Sequence, residues 1–329
     1  MKNLGILIFA TGNYKYYLEV AIETLNKRFM NDMNKTFYVF TDYPNTSIKS
    51  FYNNVIIIPI AKTDRISFFF DIYQHIIDNR SLYAKEDYLH LFNVNLICQK
   101  NITLEDIPYL ENKLIVSQHG YQLNNIPFKN TKEYYDSCEF EKNPDSTSYI
   151  PYIEGKNYGY FQKSGFAAPI NEFLKLSMWC NEQIKIDKKN NIIPIWHDES
   201  IFNKYVFEFY QDTNKIHMLN GALYNLAGTL PGSESLRSNA KIFLFGKNYN
   251  IVRGENKNSD IAFDEQCVQR RITFTDSEGL THRLRIRYKE VFDPISFQRG
   301  LLINETATTI KVLWTAGKHN KIQTILKND

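Results

Sequence analysis

The chain has 329 residues, a formal net charge of +3 at pH 7 and a mean hydropathy of −0.40. So small a charge does not predict a nucleic-acid-binding protein, whereas 43% hydrophobic residues are enough for a sizeable core. The apolar run at residues 4–10 is far shorter than the about 20 residues of a membrane span. We therefore expect a cytoplasmic protein, with peripheral attachment to the inner membrane as the alternative. The cysteines show neither CxxC nor zinc spacing, which predicts free thiols at Cys98, Cys138, Cys180 and Cys267.

The first third of the chain alternates short apolar runs, typical of buried strands, with segments of helical periodicity. The strands are predicted at residues 4–10, 37–41, 55–60 and 88–92, and the helices at residues 17–29 and 67–78. This alternation predicts an α/β fold with a mixed, mostly parallel central sheet. Ligands of such sheets bind beyond the carboxyl ends of the strands, where Gly12 and Asn93 stand.

The middle of the chain continues with a predicted strand at residues 113–117 and a loop-rich segment at 122–148. Two amphipathic helices are predicted at residues 171–184 and 198–209.

The residue pattern changes after ENKNSD at residues 255–260, a polar segment typical of a linker. Alternating residues predict a hairpin of strands 271–275 and 280–288, and further strands at 309–314 and 321–326. We interpret residues 255–329 as a small β-rich extension. Arg283, Arg285 and Arg287 would give one strand face a basic stripe for a membrane surface or glycolipid. A solvated face of an edge strand is the plainer interpretation of this stripe and the favoured one, and an oligomerisation surface and a lectin-like patch are the further alternatives.

The segment IWHDESIFNKY at residues 195–205 groups an indole, an imidazole and two carboxylates in four consecutive residues. Asp198 and Glu199 open a predicted helix, whose dipole favours ionised carboxylates, so helix capping is the plainest interpretation of this pair. Trp196 favours sugar binding, because an exposed indole stacks well on a sugar face. Zinc binding by His197 and Glu199 is disfavoured, since no second histidine follows at helical spacing.

Several blocks together resemble glycosyltransferase family 6, the histo-blood-group ABO transferases. WHDESIFNKY is similar to that family's WHDES-x-x-NKY. The blocks FATGNY (9–14), YVFTD (38–42), EKNPDSTSYIP (141–151) and KNYNIVR (247–253) resemble further family motifs in the same order. The resemblance covers about residues 1–254, so we expect a transferase domain at 1–254 and the extension at 255–329.

The resemblance implies a GT-A fold. It also implies a retaining α-1,3-glycosyltransferase that moves N-acetylgalactosamine or galactose from a UDP-sugar. The implied acceptor atom is O3 of a β-galactoside, 2'-fucosylated as in a blood-group-like surface glycan. The alternative is a non-catalytic glycan- or UDP-sugar-binding protein on a degenerate transferase fold. An intact pair of Asp198 and Glu199 disfavours that alternative.

Residue roles follow by motif match to the family. Glu199 would be the catalytic residue, as a nucleophile or as ionic support for an oxocarbenium-like state. Donor contacts are expected from Phe9, Ala10, Thr11 and Tyr14 at the uridine, Asp198 at the hexose, and Gln162 and Ser164 in the donor-selecting stretch. His119 and Trp196 would contact the acceptor, although His119 alone is typical of a hydrogen-bonded loop histidine. Lys163 replaces a family glycine.

The segment Asn93-Val94-Asn95 stands where the mammalian enzymes carry a metal-binding Asp-x-Asp. Hard divalent cations prefer charged oxygen ligands, so we expect no metal and no other cofactor. Bacterial members with Asn-x-Asn resemble this chain and work without metal. Lys247 and Arg253 would neutralise the diphosphate instead, and Asn93-Val94-Asn95 would bind the donor, with the two amides donating hydrogen bonds to phosphate oxygens. The family's donor-binding arginine corresponds to Phe69 or Phe70, with Arg65 as the nearest basic residue.

Overall fold

The computed structural model describes residues 1–44, 52–61, 63, 65–119, 129–210, 213–224, 226–227 and 239–244, and six strands between residues 270 and 326. The chain forms two compact units, Met1–Lys247 and Asn248–Asp329. The boundary expected at residue 254 from the resemblance stays a prediction. None of the described helices is long and apolar enough to cross a membrane.

The first unit alternates strands and helices as predicted. Its strands are β1 (Asn3–Phe9), β2 (Asn34–Thr41), β3 (Val55–Pro59), β4 (Tyr88–Asn93), β5 (Leu96–Cys98), β6 (Leu114–Gln118), β7 (Phe161–Pro169), β8 (Ile216–Leu219), β9 (Leu226–Ala227) and β10 (Ile242–Leu244). Its helices are α1 (Lys15–Arg28), α2 (Arg65–Asp78), α3 (Lys132–Ser137), α4 (Ile170–Lys189), α5 (Asp198–Phe209) and the short α6 (Gly221–Tyr224). Single 3-10 turns span Gly12–Tyr14, Arg80–Tyr83 and Tyr109–Glu111.

The central sheet has seven strands in the order β3-β2-β1-β4-β7-β6-β8. Every described neighbouring pair is parallel except the two that involve β7, which runs against both β4 and β6. The predicted mixed, mostly parallel α/β fold is therefore confirmed, and it is consistent with a GT-A type transferase. A second sheet joins β5, β10 and β9, with β10 antiparallel to β5 and parallel to β9.

The core of the first unit lies between the central sheet and the helices α2, α4 and α5. Apolar side chains of the strands β1, β4 and β7 and of these helices form one buried cluster. It includes Leu7, Leu91 and Phe166 from the strands and Tyr73, Phe173 and Phe202 from the helices. The rings of Phe166 and Phe173 stack with centroids 4.8 Å apart. Helices α2, α4 and α5 thus pack directly on the strands whose ends carry the predicted site. Cys98, Cys138 and Cys180 are buried thiols outside any disulfide, as expected, whereas Cys267 lies outside the described residues.

The second unit contains β11 (Arg270–Thr275), β12 (Thr281–Arg287), β13 (Glu290–Asp293), β14 (Gln298–Glu305), β15 (Thr309–Trp314) and β16 (Lys321–Leu326) in one antiparallel sheet of that order. The predicted β-rich extension and its hairpin are confirmed, since β11 pairs with β12. The edge-strand interpretation of β12 was wrong, because β12 also pairs with β13, placing Arg285 opposite Phe292.

Candidate active site

The predicted site residues meet at one edge of the central sheet, where its parallel strands end. The last residue of β1, Phe9, pairs with the last residue of β4, Asn93. The last residue of β6, Gln118, pairs with Phe161, the first residue of β7. Residues following β1, β4 and β6 and residues opening β7 are thereby gathered at this edge, next to the start of α5.

The segment after β1 is tied to the end of β2. The ring of Phe9 stacks on Phe40 with centroids 4.3 Å apart. The backbone of Ala10 donates to Phe40 O at 2.8 Å, and Thr41 Oγ1 donates to Ala10 O at 2.7 Å. These bonds fix the backbone that precedes the loop at Thr11, the segment expected to hold the uridine.

The turn at Gly12 continues this anchoring. Gly12 has φ of +56°, a left-handed conformation that glycine adopts without a steric cost. Its N–H donates to Asp42 Oδ1 at 2.9 Å, and the N–H of Tyr14 donates to Thr11 O at 3.1 Å. Tyr14 is partly exposed in the single turn that leads into α1. Asp42, the last residue of YVFTD, is thus a turn anchor that sequence reasoning did not single out.

Asn93 ends β4, and Val94 and Asn95 form the connection from β4 to β5. Asn93 is partly exposed at the strand end, whereas Val94 and Asn95 are buried. Two neutral amides do not fit a divalent cation, which prefers charged oxygen ligands. In the part of the chain that the structure describes, no group of three or more His, Cys, Asp or Glu residues has a metal-binding arrangement.

A strained turn aims the acidic pair. His197 has φ of 54° and ψ of −121°, and the N–H of Glu199 donates to Trp196 O at 3.0 Å. These values describe a type II' turn with a histidine where glycine is preferred, at a cost of about 1–3 kcal/mol. The imidazole packs edge-on against Phe69 at 5.5 Å between centroids and is also close to Phe70. Contacts to α2 thus hold the turn from which Asp198 and Glu199 project.

The carboxylate of Glu199 is oriented from both sides. Tyr160 Oη donates to Oε1 at 3.0 Å, and the backbone N–H of Lys163 donates to Oε2 at 3.1 Å. His119 Nε2 lies 4.0 Å from Oε1, so the predicted acceptor residue and the predicted catalytic residue are neighbours. Burial, followed by the negative charge of Glu199, raises the pKa of Tyr160 far above its usual value, so this phenol remains a donor.

Asp198 is paired with Lys163. The ammonium of Lys163 bonds to Asp198 Oδ2, and the two side chains are only 11% and 4% exposed. The Lys163 ammonium also lies over the ring of Tyr73 on α2, 5.7 Å from its centroid. The departure from glycine noted at position 163 therefore introduces a buried cation between β7 and α5.

Asn203 joins α5 to the start of β7. Its Oδ1 accepts from Phe161 N at 2.8 Å, and its Nδ2 donates to Phe161 O at 2.8 Å. The same Nδ2 donates to Glu199 O at 3.0 Å. The Asn203 amide thus bonds to both backbone groups of Phe161, as a neighbouring strand would. These bonds fix the distance between Glu199 on α5 and the strand β7.

The segment preceding α5 is anchored by Glu141. Its carboxylate accepts from the backbone of Ile195 at 2.6 Å and of Asn143 at 2.8 Å. Trp196 donates its backbone N–H to Ser200 Oγ at 3.0 Å and leaves 42% of its surface exposed. An exposed indole three residues before Glu199 is available to stack on a sugar.

The remaining predicted residues are partly described. Gln162 and Ser164 lie on β7 on either side of Lys163, and Gln162 Oε1 is buried without a hydrogen-bond partner in the described part of the chain. Arg65 is the first residue of α2, but its side chain is not described. Lys247 and Arg253 lie outside the described residues.

Sequence reasoning missed the roles of Tyr160, Lys163 and Asn203. Asn203 stands four residues after Glu199, and this helical spacing puts both on one face, so it was a usable signal. Tyr160 contacts Glu199, which is 39 residues away in the sequence, and Lys163 contacts Asp198, which is 35 residues away. No local pattern predicts those contacts.

Comparison with known proteins agrees with this geometry. The profile of the family described as "Glycosyltransferase family 6" matches residues 2–254. Histo-blood group ABO system transferase 2 of Rattus norvegicus is 24% identical over 206 residues, 62% of this chain and 58% of that protein. The O-antigen biosynthesis glycosyltransferase WbnI of Escherichia coli is 26% identical over 211 residues, 62% of this chain and 82% of that protein. Globoside alpha-1,3-N-acetylgalactosaminyltransferase 1 of Homo sapiens is 23% identical over 212 residues, 61% of this chain and 56% of that protein. The chain thus covers less than two thirds of the rat and human relatives.

Proposed function

This chain belongs to glycosyltransferase family 6, and from that premise we propose a retaining α-1,3-glycosyltransferase that uses a UDP-sugar and no metal. The acceptor is O3 of a β-galactoside, 2'-fucosylated as in a blood-group-like surface glycan. The relatives' names support this proposal, since they include ABO transferases and an α-1,3-N-acetylgalactosaminyltransferase. The observation that carries it is Glu199, fixed by Tyr160 and Lys163 within 4.0 Å of His119.

In the proposed reaction the bond between the anomeric carbon and the β-phosphate oxygen breaks, and its electrons leave with UDP. A new bond to the acceptor O3 forms on the same face, and the O3 proton passes to a phosphate oxygen. Glu199 faces the opposite side of the anomeric carbon, as nucleophile or as ionic support for the developing positive charge. The short separation of His119 and Glu199 supports this arrangement, because acceptor and donor must meet at one carbon.

UDP needs countercharge without a metal. We assign that task to Lys247 and Arg253, together with the amide of Asn93 at the partly exposed end of β4. The side-chain amide of Asn93 can donate a hydrogen bond to a phosphate oxygen, which an aspartate would repel, whereas Asn95 is buried. Transfer that is undiminished by EDTA supports this assignment, and strict dependence on added manganese refutes it.

Among donors we propose UDP-N-acetylgalactosamine over UDP-galactose. The buried carbonyl oxygen of Gln162 lacks a partner among the described residues, and an unsatisfied buried acceptor is costly. We expect the longer acetamido group of N-acetylgalactosamine to bring its N–H to this acceptor, whereas the shorter 2-hydroxyl of galactose should not reach it. A donor panel tests this choice. The parent should prefer UDP-N-acetylgalactosamine and Gln162→Leu should lose the preference, while an unchanged ratio in the variant contradicts the assignment.

The test of catalysis compares the parent with Glu199→Gln, a near-isosteric change. UDP release and product formation are measured with both donors and a 2'-fucosylated β-galactoside. Loss of most activity in the variant supports the proposal. UDP-sugar binding without turnover in the parent would instead favour a non-catalytic glycan- or UDP-sugar-binding protein.

A further inference from the structure

Lys163 is buried at the point where β7 meets the first turn of α5. Its ammonium bonds to Asp198 Oδ2, with 11% of the lysine side chain and 4% of the aspartate side chain exposed. The titratable groups that face this pair include Tyr73 on α2 and Cys180 on α4. Burial raises the pKa of both, so they remain neutral. Lys163 is therefore the cation that compensates Asp198.

Stability alone gives a weak reason for such a pair. Removing two charges from water costs several kcal/mol per ion, and apolar residues of similar volume are often at least as stable. Lys163 lies inside β7, and Phe161 and Phe166 of the same strand pack in the apolar core. A charged pair at this place is better explained by the need for an ionised Asp198.

Lys163 also contacts the second carboxylate. Its backbone N–H donates to Glu199 Oε2 at 3.1 Å, while its side chain compensates Asp198. Two adjacent carboxylates repel each other, and a neighbouring cation offsets that repulsion. One residue thus fixes the two groups that the proposed function places on the donor sugar and at the anomeric carbon.

We propose that Lys163 is a positioning residue for glycosyl transfer. It keeps Asp198 charged and oriented, so that Asp198 Oδ1 accepts hydrogen bonds from the hydroxyl groups of the donor hexose. This inference rests on the proposed function. Lys163 on β7 thus acts on the donor sugar through Asp198, whereas Lys247 and Arg253 are the cations expected at the phosphates. Lys163 itself need not touch the substrate.

The test uses Lys163→Met, an unbranched side chain one heavy atom shorter and without the charge, and Lys163→Arg, which restores a charge. Lys204→Met is the matched control, because Lys204 forms its ion pair with Glu208 within α5 rather than with Asp198 or Glu199. We expect Lys163→Met to lower kcat/KM for the UDP-sugar by about 100-fold. Lys163→Arg should recover at least about tenfold of that loss, and Lys204→Met should match the parent. Activities are expressed per folded protein, from thermal unfolding of each variant.

A folded Lys163→Met with kcat/KM within about threefold of the parent overturns the inference. Should Lys163→Met not fold, the pair Asp198→Asn and Lys163→Met/Asp198→Asn carries the test, since the double variant has no uncompensated buried charge. Because Lys163 acts through Asp198, the double variant should be as active as Asp198→Asn, and a further loss of about tenfold overturns the inference. If the parent and Lys204→Met transfer no sugar from any UDP-sugar, the proposed function fails and this inference fails with it.

Discussion

The hydroxyl of Tyr160 donates to Glu199 Oε1 at 3.0 Å, and Tyr160→Phe removes that donor while keeping the buried ring. A hydrogen bond to a charged group contributes about 1.5–3 kcal/mol. If the bond orients Glu199 for the transition state, its loss lowers kcat by about 10- to 150-fold, at 1.4 kcal/mol per tenfold. The KM for the donor should change little, because Asp198 and the backbone donor to Glu199 are untouched.

The assay is steady-state UDP release at saturating acceptor over a range of UDP-sugar concentrations. Tyr135→Phe is the control, because Tyr135 is in the same buried aromatic cluster and its hydroxyl donates to Ile150 O at 2.7 Å. This control should lower the unfolding temperature without lowering kcat per folded protein. A Tyr160→Phe variant with kcat within about threefold of the parent would refute the orienting role of Tyr160.

Further predictions concern stability, the Asn-x-Asn segment and the phosphate site. Burial lowers the pKa of His90 from 6.5 to about 3. The folded state therefore resists protonation that the unfolded state accepts, so about 2 kcal/mol of stability is lost as the pH falls from 7 to 5. Chemical unfolding across this range should show the loss in the parent and a smaller one in His90→Phe, whereas equal slopes would contradict the assignment. Asn95→Asp should lower both the unfolding temperature and metal-free transfer, because it puts a carboxylate in a buried position. A variant that behaves as the parent in both measurements would show that position 95 tolerates charge. Lys247→Ala and Arg253→Ala should each raise the donor KM by about tenfold without changing the unfolding temperature, and unchanged donor kinetics would remove them from the phosphate site.

The strands and helices with strong local periodicity could be predicted from the sequence. The run at residues 4–10 and the helix-like spacing at residues 67–78 correspond to Asn3–Phe9 and Arg65–Asp78. The strand Phe161–Pro169 was not predicted, because Gln162, Lys163, Ser164 and Gly165 interrupt the apolar pattern. Pairing with β4 and β6 and the side chain of Asn203 stabilise this strand, and these are long-range contacts.

The site residues that lie within sequence motifs could be predicted. The motifs at WHDES and FATGNY led to Glu199, Asp198 and the segment after β1, and the topology brings them to one edge of the sheet. The partners that orient the carboxylates come from β7, far away in sequence. A lysine in place of a glycine is visible in the sequence, but its ion pair with Asp198 depends on how α5 packs against the sheet.

The C-terminal unit shows the same limit. Strict alternation predicted the hairpin of β11 and β12. The strand Glu290–Asp293 is only four residues long, and Gly300 weakens the pattern of the strand that follows, so both were missed. Because the missed strand pairs with β12, the stripe of Arg283, Arg285 and Arg287 was wrongly placed on a sheet edge.

The central claim is that Glu199 supports a retaining transfer that needs no metal. The most direct measurement is the transfer from UDP-N-acetylgalactosamine to a 2'-fucosylated β-galactoside in excess EDTA, with the parent and with Glu199→Gln. The glutamine can still accept from Tyr160, but it removes the negative charge. We predict an α-linked product at an undiminished rate with the parent, and a rate lower by about 100-fold with the variant. A β-linked product, a strict requirement for added manganese, or a variant as fast as the parent would contradict the account.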